Sequence, residues 1–431
     1  MVSETMNDEQ KNAVIVSLDQ NVSELTQLAD TLDYVVVKEF IQDRKLPDVN
    51  YYIGSGKLDE IKDYIEASEE KIHLIIVNGE LKPSQWFALE KKLSVDVYDR
   101  IRLILAIFEE HAERKEARLQ VKLAQLHYER PFVRELIHKA RAGEHPGLMA
   151  GGEYQVDDYY EMIKKQMKKI KFDLKKIEKD RDVHRKTRYK SGFYLVSLAG
   201  YTNAGKSSLL NLFSGEKVKV EGKLFSTLST TTRRISQQKK GNTVPILLTD
   251  TVGFIKNLPS WIIDAFHSTL EEIKVADVVV LVVDGSEKNE LVEKKLQVSL
   301  DELLEIGVTS SVVIAINKID LIDDETVNDL IVYLSQKGLL NNRLCVPISV
   351  TKETNIELLL EEIHKSLPNM VEMTLQLPMN KEAQAFVSQL YKKTRIISAT
   401  YEKTIKVEIA CNIKIRDKII AQCQKLDGLV E

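Results

Sequence analysis

Apolar residues in the first hundred positions come in short runs separated by amphipathic stretches. Asn12–Ser17, Asp33–Lys38, Ile72–Val77 and Val95–Tyr98 read as strands, and Ser23–Leu32, Gly54–Glu66 and Lys82–Leu93 as the helices between them. Such alternation predicts a small, mostly parallel sheet. Gly54-Ser-Gly56-Lys57 stands before a helix and reads as a strand-to-helix turn rather than a phosphate contact. Two long helical stretches follow. Ile101–Tyr128 contains neither Gly nor Pro, and Asp157–Lys190 spaces Tyr160, Ile163, Met167, Ile170, Leu174 and Ile177 by threes and fours, a narrow coiled-coil seam. They are expected to pair antiparallel, leaving Ala140–Gln155, with five glycines and prolines, as an exposed loop.

From position 193 the apolar runs lengthen into buried-strand patterns: Phe193–Ala199, Val244–Thr249, Val278–Val283, Val312–Ile316 and Leu344–Ile348. The last is followed by a helix, Ile356–Leu367, and then by Pro368. The final stretch reads β-α-β-β-α: Val371–Leu377, Lys381–Lys393, Ile396–Tyr401, Ile405–Ala410 and Ile415–Gln424. The fold class is therefore α/β. A P-loop domain with a parallel sheet (191–368) is preceded by a small α/β domain (1–100) and a long helical pair (101–190), and followed by a small α+β domain (369–431).

Four segments lie at the carboxyl ends of predicted strands, where ligands bind in open α/β sheets. Gly200-Tyr201-Thr202-Asn203-Ala204-Gly205-Lys206-Ser207 fits the phosphate loop Gly-x-x-x-x-Gly-Lys-Ser, with Ser208 opening a helix behind it. Asp250-Thr251-Val252-Gly253 comes next, then Asn317-Lys318-Ile319-Asp320, then Ser349-Val350-Thr351. The Asp320 carboxylate accepts from the ring N–H and exocyclic amine of guanine, whereas adenine has no amine at that edge. The set predicts a GTP site. Lys206 neutralises the β- and γ-phosphates and Ser207 ligates Mg²⁺, with Asp250 acting on the metal through a water. The Gly253 N–H meets the γ-phosphate because no Cβ obstructs it. A threonine from Phe225-Ser226-Thr227-Leu228-Ser229 onward completes the metal shell, Thr227 being the first choice and Thr231 the reserve.

The hydrolytic machinery departs from the common pattern. Phe254 stands where many GTPases place a glutamine to orient water, so slow intrinsic hydrolysis is expected. Asn203 has two readings: its side-chain carbonyl ligates a monovalent cation such as K⁺, or it only shapes the loop.

Composition narrows the rest. Net charge is −4 with pI near 6.2, so the whole chain is not a generic polyanion binder. Three cysteines without paired metal spacing fit a reducing compartment. No apolar run reaches membrane-spanning length and the first residues are polar, so a cytoplasmic protein is expected. Against this acidic background, Asp157–Lys190 carries thirteen Lys/Arg and seven Asp/Glu. Together with the adjoining glycine-rich loop it suggests a phosphate contact with structured RNA, the alternative being a solvated helix face.

These motifs carry a resemblance. The P-loop as written, Leu224-Phe-Ser-Thr-Leu228 with Thr231-Thr-Arg-Arg234, and Asp250-Thr-Val-Gly-Phe254 resemble the HflX family of translational GTPases. So do Tyr52-Ile-Gly-Ser-Gly-Lys57 and Arg114-Lys-Glu-Ala-Arg-Leu-Gln-Val-Lys-Leu-Ala-Gln-Leu126, and the likeness covers about residues 10–368. The resemblance supports Thr227 as the metal ligand. It implies binding to the large ribosomal subunit or whole ribosomes and, as some such proteins do, splitting of stalled ribosomes; a monomer is expected separately. Glu144–Glu153 keeps its glycines but lacks the Gly-Pro-Gly-Glu string usual in the family, so that loop's contact is expected to differ. Two rival readings are a GTPase of rRNA or tRNA maturation and an RNA-binding module with structural nucleotide.

Overall fold

The computed structural model describes residues 11–141, 152–189, 193–215, 231–235, 246–251, 253–255, 259, 261–262, 267–341, 343–368 and 370–431. The described residues form two compact units: those up to 175 with 259 and 261–262, and the remainder.

In the first unit, β1 (Lys11–Ser17), β2 (Tyr34–Ile41), β3 (Ile72–Val77) and β4 (Asp96–Asp99) form an all-parallel sheet in the order β2-β1-β3-β4. The interleaved helices are α1 (Ser23–Thr31), α2 (Ser55–Ala67) and α3 (Pro83–Leu93), with α4 (Arg100–His111) after β4. Val14 and Val16 join the core beneath α2 and α3, while the alternate residues Ala13 and Ile15 are fully buried too. Both faces of the sheet are therefore covered, as parallel strands require. The Gly54 turn is closed by the chain itself: Gly54 N–H donates to Gln42 Oε1 at 2.9 Å and Lys57 pairs with Glu60 at 2.6 Å.

The expected continuous helix Ile101–Tyr128 is corrected. Helix α4 ends at His111 and α5 (Lys115–Arg141) starts afresh. Arg118 Nε donates to the Ala112 carbonyl at 2.9 Å, which satisfies the backbone at the break without Gly or Pro. The helical pair is thus α5 with α6 (Gly152–Tyr189). Ile163, Met167 and Ile170 of the predicted seam are buried against Leu123, Leu126, Val133 and Ile137, with Tyr160 and Leu174 alongside. Of the expected loop Ala140–Gln155, residues 142–151 lie outside the described residues.

The second unit holds a six-stranded sheet, β10-β9-β8-β5-β7-β6. Its strands are β5 (Tyr194–Gly200), β6 (Thr231–Arg234), β7 (Ile246–Asp250), β8 (Val278–Asp284), β9 (Ser311–Asn317) and β10 (Cys345–Pro347). All pairs are parallel except β6 with β7. β6 has no apolar pattern to announce it; it is held as an edge by antiparallel pairing, Thr231 opposite Asp250. Helix α7 (Lys206–Ser214) follows β5. Its Leu209, Leu210 and Phe213 pack with Val196, Leu198, Val280 and Val282 in the central core.

The C-terminal part of this unit is an antiparallel sheet in the order β12-β13-β11-β14: β11 (Met370–Pro378), β12 (Arg395–Tyr401), β13 (Thr404–Asn412) and β14 (Leu429–Val430). Helices Lys381–Lys393 and Ile413–Lys425 complete β-α-β-β-α-β, one strand more than the sequence suggested.

Candidate functional site

The phosphate loop runs from the end of β5 to the first turn of α7, and its two glycines occupy positions that other residues cannot. Gly200 (φ +136°) lies against the Val282 carbonyl, and Gly205 (φ +100°) against the Asn317 side-chain amide, so a Cβ on either collides. Asn203 adopts left-handed backbone (φ 61°) with its side chain exposed, a geometry that suits both of its readings. Lys206 is buried; its Nζ donates to the carbonyls of Gly200 at 3.0 Å and Tyr201 at 2.8 Å. Burial lowers its pKa to about 8, opposed by the Asp250 carboxylate. The Tyr201 ring lies under Lys295 Nζ at 5.0 Å, and Ala204 is buried while Ser208 is half-buried on the first turn of α7.

Asp250 ends β7 beside the loop, and Ser207 Oγ donates to its Oδ2 at 2.6 Å. A hydroxyl and a carboxylate so close form the hard oxygen environment that suits Mg²⁺, so the donor set fits that ion. Thr251 is fully buried and donates to the Leu198 carbonyl at 2.7 Å. Beyond it the chain zips onto the phosphate loop: Phe254 N–H donates to Gly200 O and Thr202 N–H to Phe254 O, both at 3.0 Å. The Phe254 side chain is buried, so the residue in the usual glutamine position serves packing. A Cβ on Gly253 would meet Lys206 Nζ and Thr202 Cγ2 at 2.9 Å and Thr202 Cα at 3.0 Å, leaving no space for a larger residue. Phe225, Ser226, Thr227, Leu228, Ser229 and Val252 lie outside the described residues.

The Asn317–Asp320 segment is tied to the phosphate loop directly. Asn317 Nδ2 donates to the Ala204 carbonyl at 2.9 Å, and its Oδ1 accepts from Val350 N–H at 3.1 Å. One side chain therefore joins three of the four predicted segments. Asp320, exposed on the 3₁₀ turn Ile319–Leu321, accepts from Ser349 Oγ at 2.5 Å; that oxygen in turn accepts from Lys352 N–H at 3.0 Å. Ser349 is fully buried, Val350 half-buried and Thr351 exposed.

Sequence reasoning missed Asp284. At the carboxyl end of β8, its Oδ2 lies 2.5 Å from Lys318 Nζ, and its Oδ1 accepts from Ser286 N–H at 3.0 Å and Ser286 Oγ at 2.6 Å. The signal was a carboxylate closing a buried strand, the placement used for Asp250. Parallel register sets Asp284 opposite Asn317, so Lys318 turns back onto it from left-handed backbone (φ 67°).

Comparison with known proteins fits this arrangement. Three family models match in succession: GTP-binding GTPase N-terminal at residues 19–109, GTP-binding GTPase Middle Region at 111–188, and 50S ribosome-binding GTPase at 195–318. GTPase HflX of Methanocaldococcus jannaschii is 40% identical, over 89% of this chain and 90% of its own. GTPase HflX of Thermococcus kodakarensis is 38% identical, over 95% and 91%. Among solved structures, a GTP-binding protein from the hyperthermophilic archaeon Sulfolobus solfataricus in complex with GDP is 30% identical, with a TM-score of 0.46, over 82% of this chain and 98% of that one. With relatives this similar along nearly its whole length, the chain belongs to the GTPase HflX family.

Proposed function

We propose that this GTPase is a nucleotide-gated ribosome factor that engages the large subunit when GTP is bound and separates stalled or idle ribosomes into subunits. The carrying observation is the match of residues 195–318 to the 50S ribosome-binding GTPase model, on a chain that also bears a basic helix. Along α6, Lys164, Lys165, Lys168, Lys169, Lys171, Lys175 and Lys176 are exposed, a cationic surface suited to rRNA phosphates.

In the nucleotide site, backbone N–H groups of Asn203, Gly205, Lys206, Ser207 and Ser208 face the phosphates, Thr202 and Ala204 shape the loop through their own backbone bonds, and Lys206 leaves its carbonyl partners to neutralise them. Ser207 and Thr227 would hold Mg²⁺, with Asp250 acting through a water; the ion supplies charge neutralisation at the phosphates. Asn203 would hold K⁺. Asp320 selects guanine, oriented by Ser349, while Val350 and Thr351 border the base. Gly253 and Thr227 read the γ-phosphate and are released on hydrolysis, which makes the bound nucleotide a population switch. With Phe254 unable to orient water, intrinsic hydrolysis is slow and rises on the ribosome. The working protein is a cytoplasmic monomer divided near residues 100, 190 and 368. Among the described residues no helix is long and apolar enough to cross a membrane.

The test is cosedimentation of the purified protein with ribosomes, with subunit dissociation read in parallel. A non-hydrolysable GTP analogue should hold the protein on ribosomes at least about tenfold more tightly than GDP. Equal binding in the two nucleotides removes the switch, and intact ribosomes under GTP remove the splitting.

A further inference from the structure

The first unit contains a cleft of about 390 Å³ walled by α3, β4, α4, α5 and the start of α6. Six of its lining residues are aromatic, a density far above the chain's 6%. Trp86 anchors the wall: its Nε1 donates to the Val97 carbonyl at 2.9 Å, so the indole's only polar atom is spent. Phe132 meets Trp86 edge-to-face at 5.5 Å and Tyr128 at 4.8 Å.

The charges are as informative as the rings. Among lining residues only Arg102, Glu109 and Glu129 are charged, and Arg102 is already engaged. Its guanidinium lies 4.3 Å from the Tyr98 centroid and 5.3 Å from the Trp86 centroid, 3.9 Å from Glu90. The wall thus already stacks one guanidinium internally. The other two lining charges are carboxylates. Glu109 is held by Gln125, whose Nε2 donates to it at 2.7 Å, and Glu129 faces the Tyr159 hydroxyl, whose pKa is raised by burial and then by that carboxylate. Electron-rich rings and acidic groups lining one cleft favour a cation with a flat or aliphatic body and repel phosphates and other anions.

The geometry points to a second binding site, for a guanidinium-type organic cation: the head between Glu109 and Glu129, the stem along Trp86, Phe132 and Tyr128. A free guanidino-amine and an arginine presented on a peptide share that chemistry. The site shares no residue with the guanine pocket, and its test does not depend on the nucleotide reading.

The chain has two tryptophans, Trp86 and Trp261, so Trp261→Phe leaves Trp86 as the sole indole reporter. The full chain would be titrated with agmatine, with acetyl-Gly-Arg-Gly-amide and with the neutral citrulline analogue of that peptide. Saturable change with agmatine at equal or higher affinity assigns the site to free cations; tighter binding of the arginine peptide assigns it to peptide arginine. The combined Glu109→Gln and Glu129→Gln variant should weaken either ligand by about tenfold or more, with the far-UV circular dichroism spectrum and the urea midpoint unchanged as the measure of folding. Three results overturn the site: a citrulline peptide as effective as the arginine one, full affinity in the carboxamide variant, or no saturable response to any probe.

Discussion

A serine hydroxyl buried just beyond β10 decides how firmly the Asp320 carboxylate is held. Ser349 Oγ donates to Asp320 at 2.5 Å while accepting from Lys352 N–H, so it fixes the carboxylate's rotamer from below. Hydrogen bonds to charged groups are worth about 1.5–3 kcal/mol. Ser349→Ala should weaken GDP binding about tenfold or more with little change in turnover at saturating GTP, as a fluorescent GDP titration would show. Undiminished affinity would mean that Asp320 orients itself. Asp284 acts similarly on Lys318, in a pair only 26% and 13% exposed. Asp284→Asn should speed GDP release by roughly five- to tenfold while kcat holds, a split that general loosening of the domain would not give. Ser349 was legible as a weak motif lifted by its place after a strand. Asp284 was legible only as a carboxylate closing a buried strand; its partner Lys318 was not, because nothing in the spacing connects them and only the β8–β9 register does.

At the scale of elements, periodicity carried as far as burial enforced it. The α6 seam was readable because Ile163, Met167 and Ile170 must all face α5, and Ile163 is fully buried there. Ile163→Ala should therefore destabilise the first unit by about 2–4 kcal/mol, seen as a lower urea midpoint with helical signal lost first. An unchanged midpoint would show that the helices do not depend on this seam. Elements stabilised by partners rather than by their own pattern stayed hidden. Thr-Thr-Arg-Arg in β6 has no apolar face and exists through β7; Leu429–Val430 is too short to signal and pairs only with Leu375 and Gln376. The α4–α5 break was equally hidden, since Ala112-Glu113-Arg114 holds no helix breaker and the stop comes from an arginine six residues on. Pro131 shows the converse: inside α5 it fails to end the helix, because the seam on either side holds both halves.

Across the whole molecule, both units bury weak acids in their neutral form, and this sets an alkaline limit. In the first unit the Tyr52 hydroxyl donates to the Asn78 carbonyl at 2.8 Å, and burial pushes its pKa up to about 12; Tyr128 is raised further by burial and the nearby Asp99. In the second, burial raises Tyr194, and the Cys345 and Cys411 thiols rise to about 11 from an ordinary 9. A pKa raised in the folded state adds stability that is complete below the unfolded value and lost as pH climbs through the folded one. Here the loss begins near pH 9 with the thiols, steepens near pH 10 as unfolded phenols ionise, and continues past pH 11. A tenfold change in an acid's ionisation constant corresponds to about 1.4 kcal/mol, so several such groups together remove on the order of a few kcal/mol by pH 10.5. The urea midpoint should hold level from pH 7 to 8.5 and then fall. Cys411→Val, which keeps the core filled, should recover part of the loss at pH 10.5 while changing little at pH 8. A midpoint flat through pH 10.5 would mean that these groups ionise in place, and that the burial around them admits water.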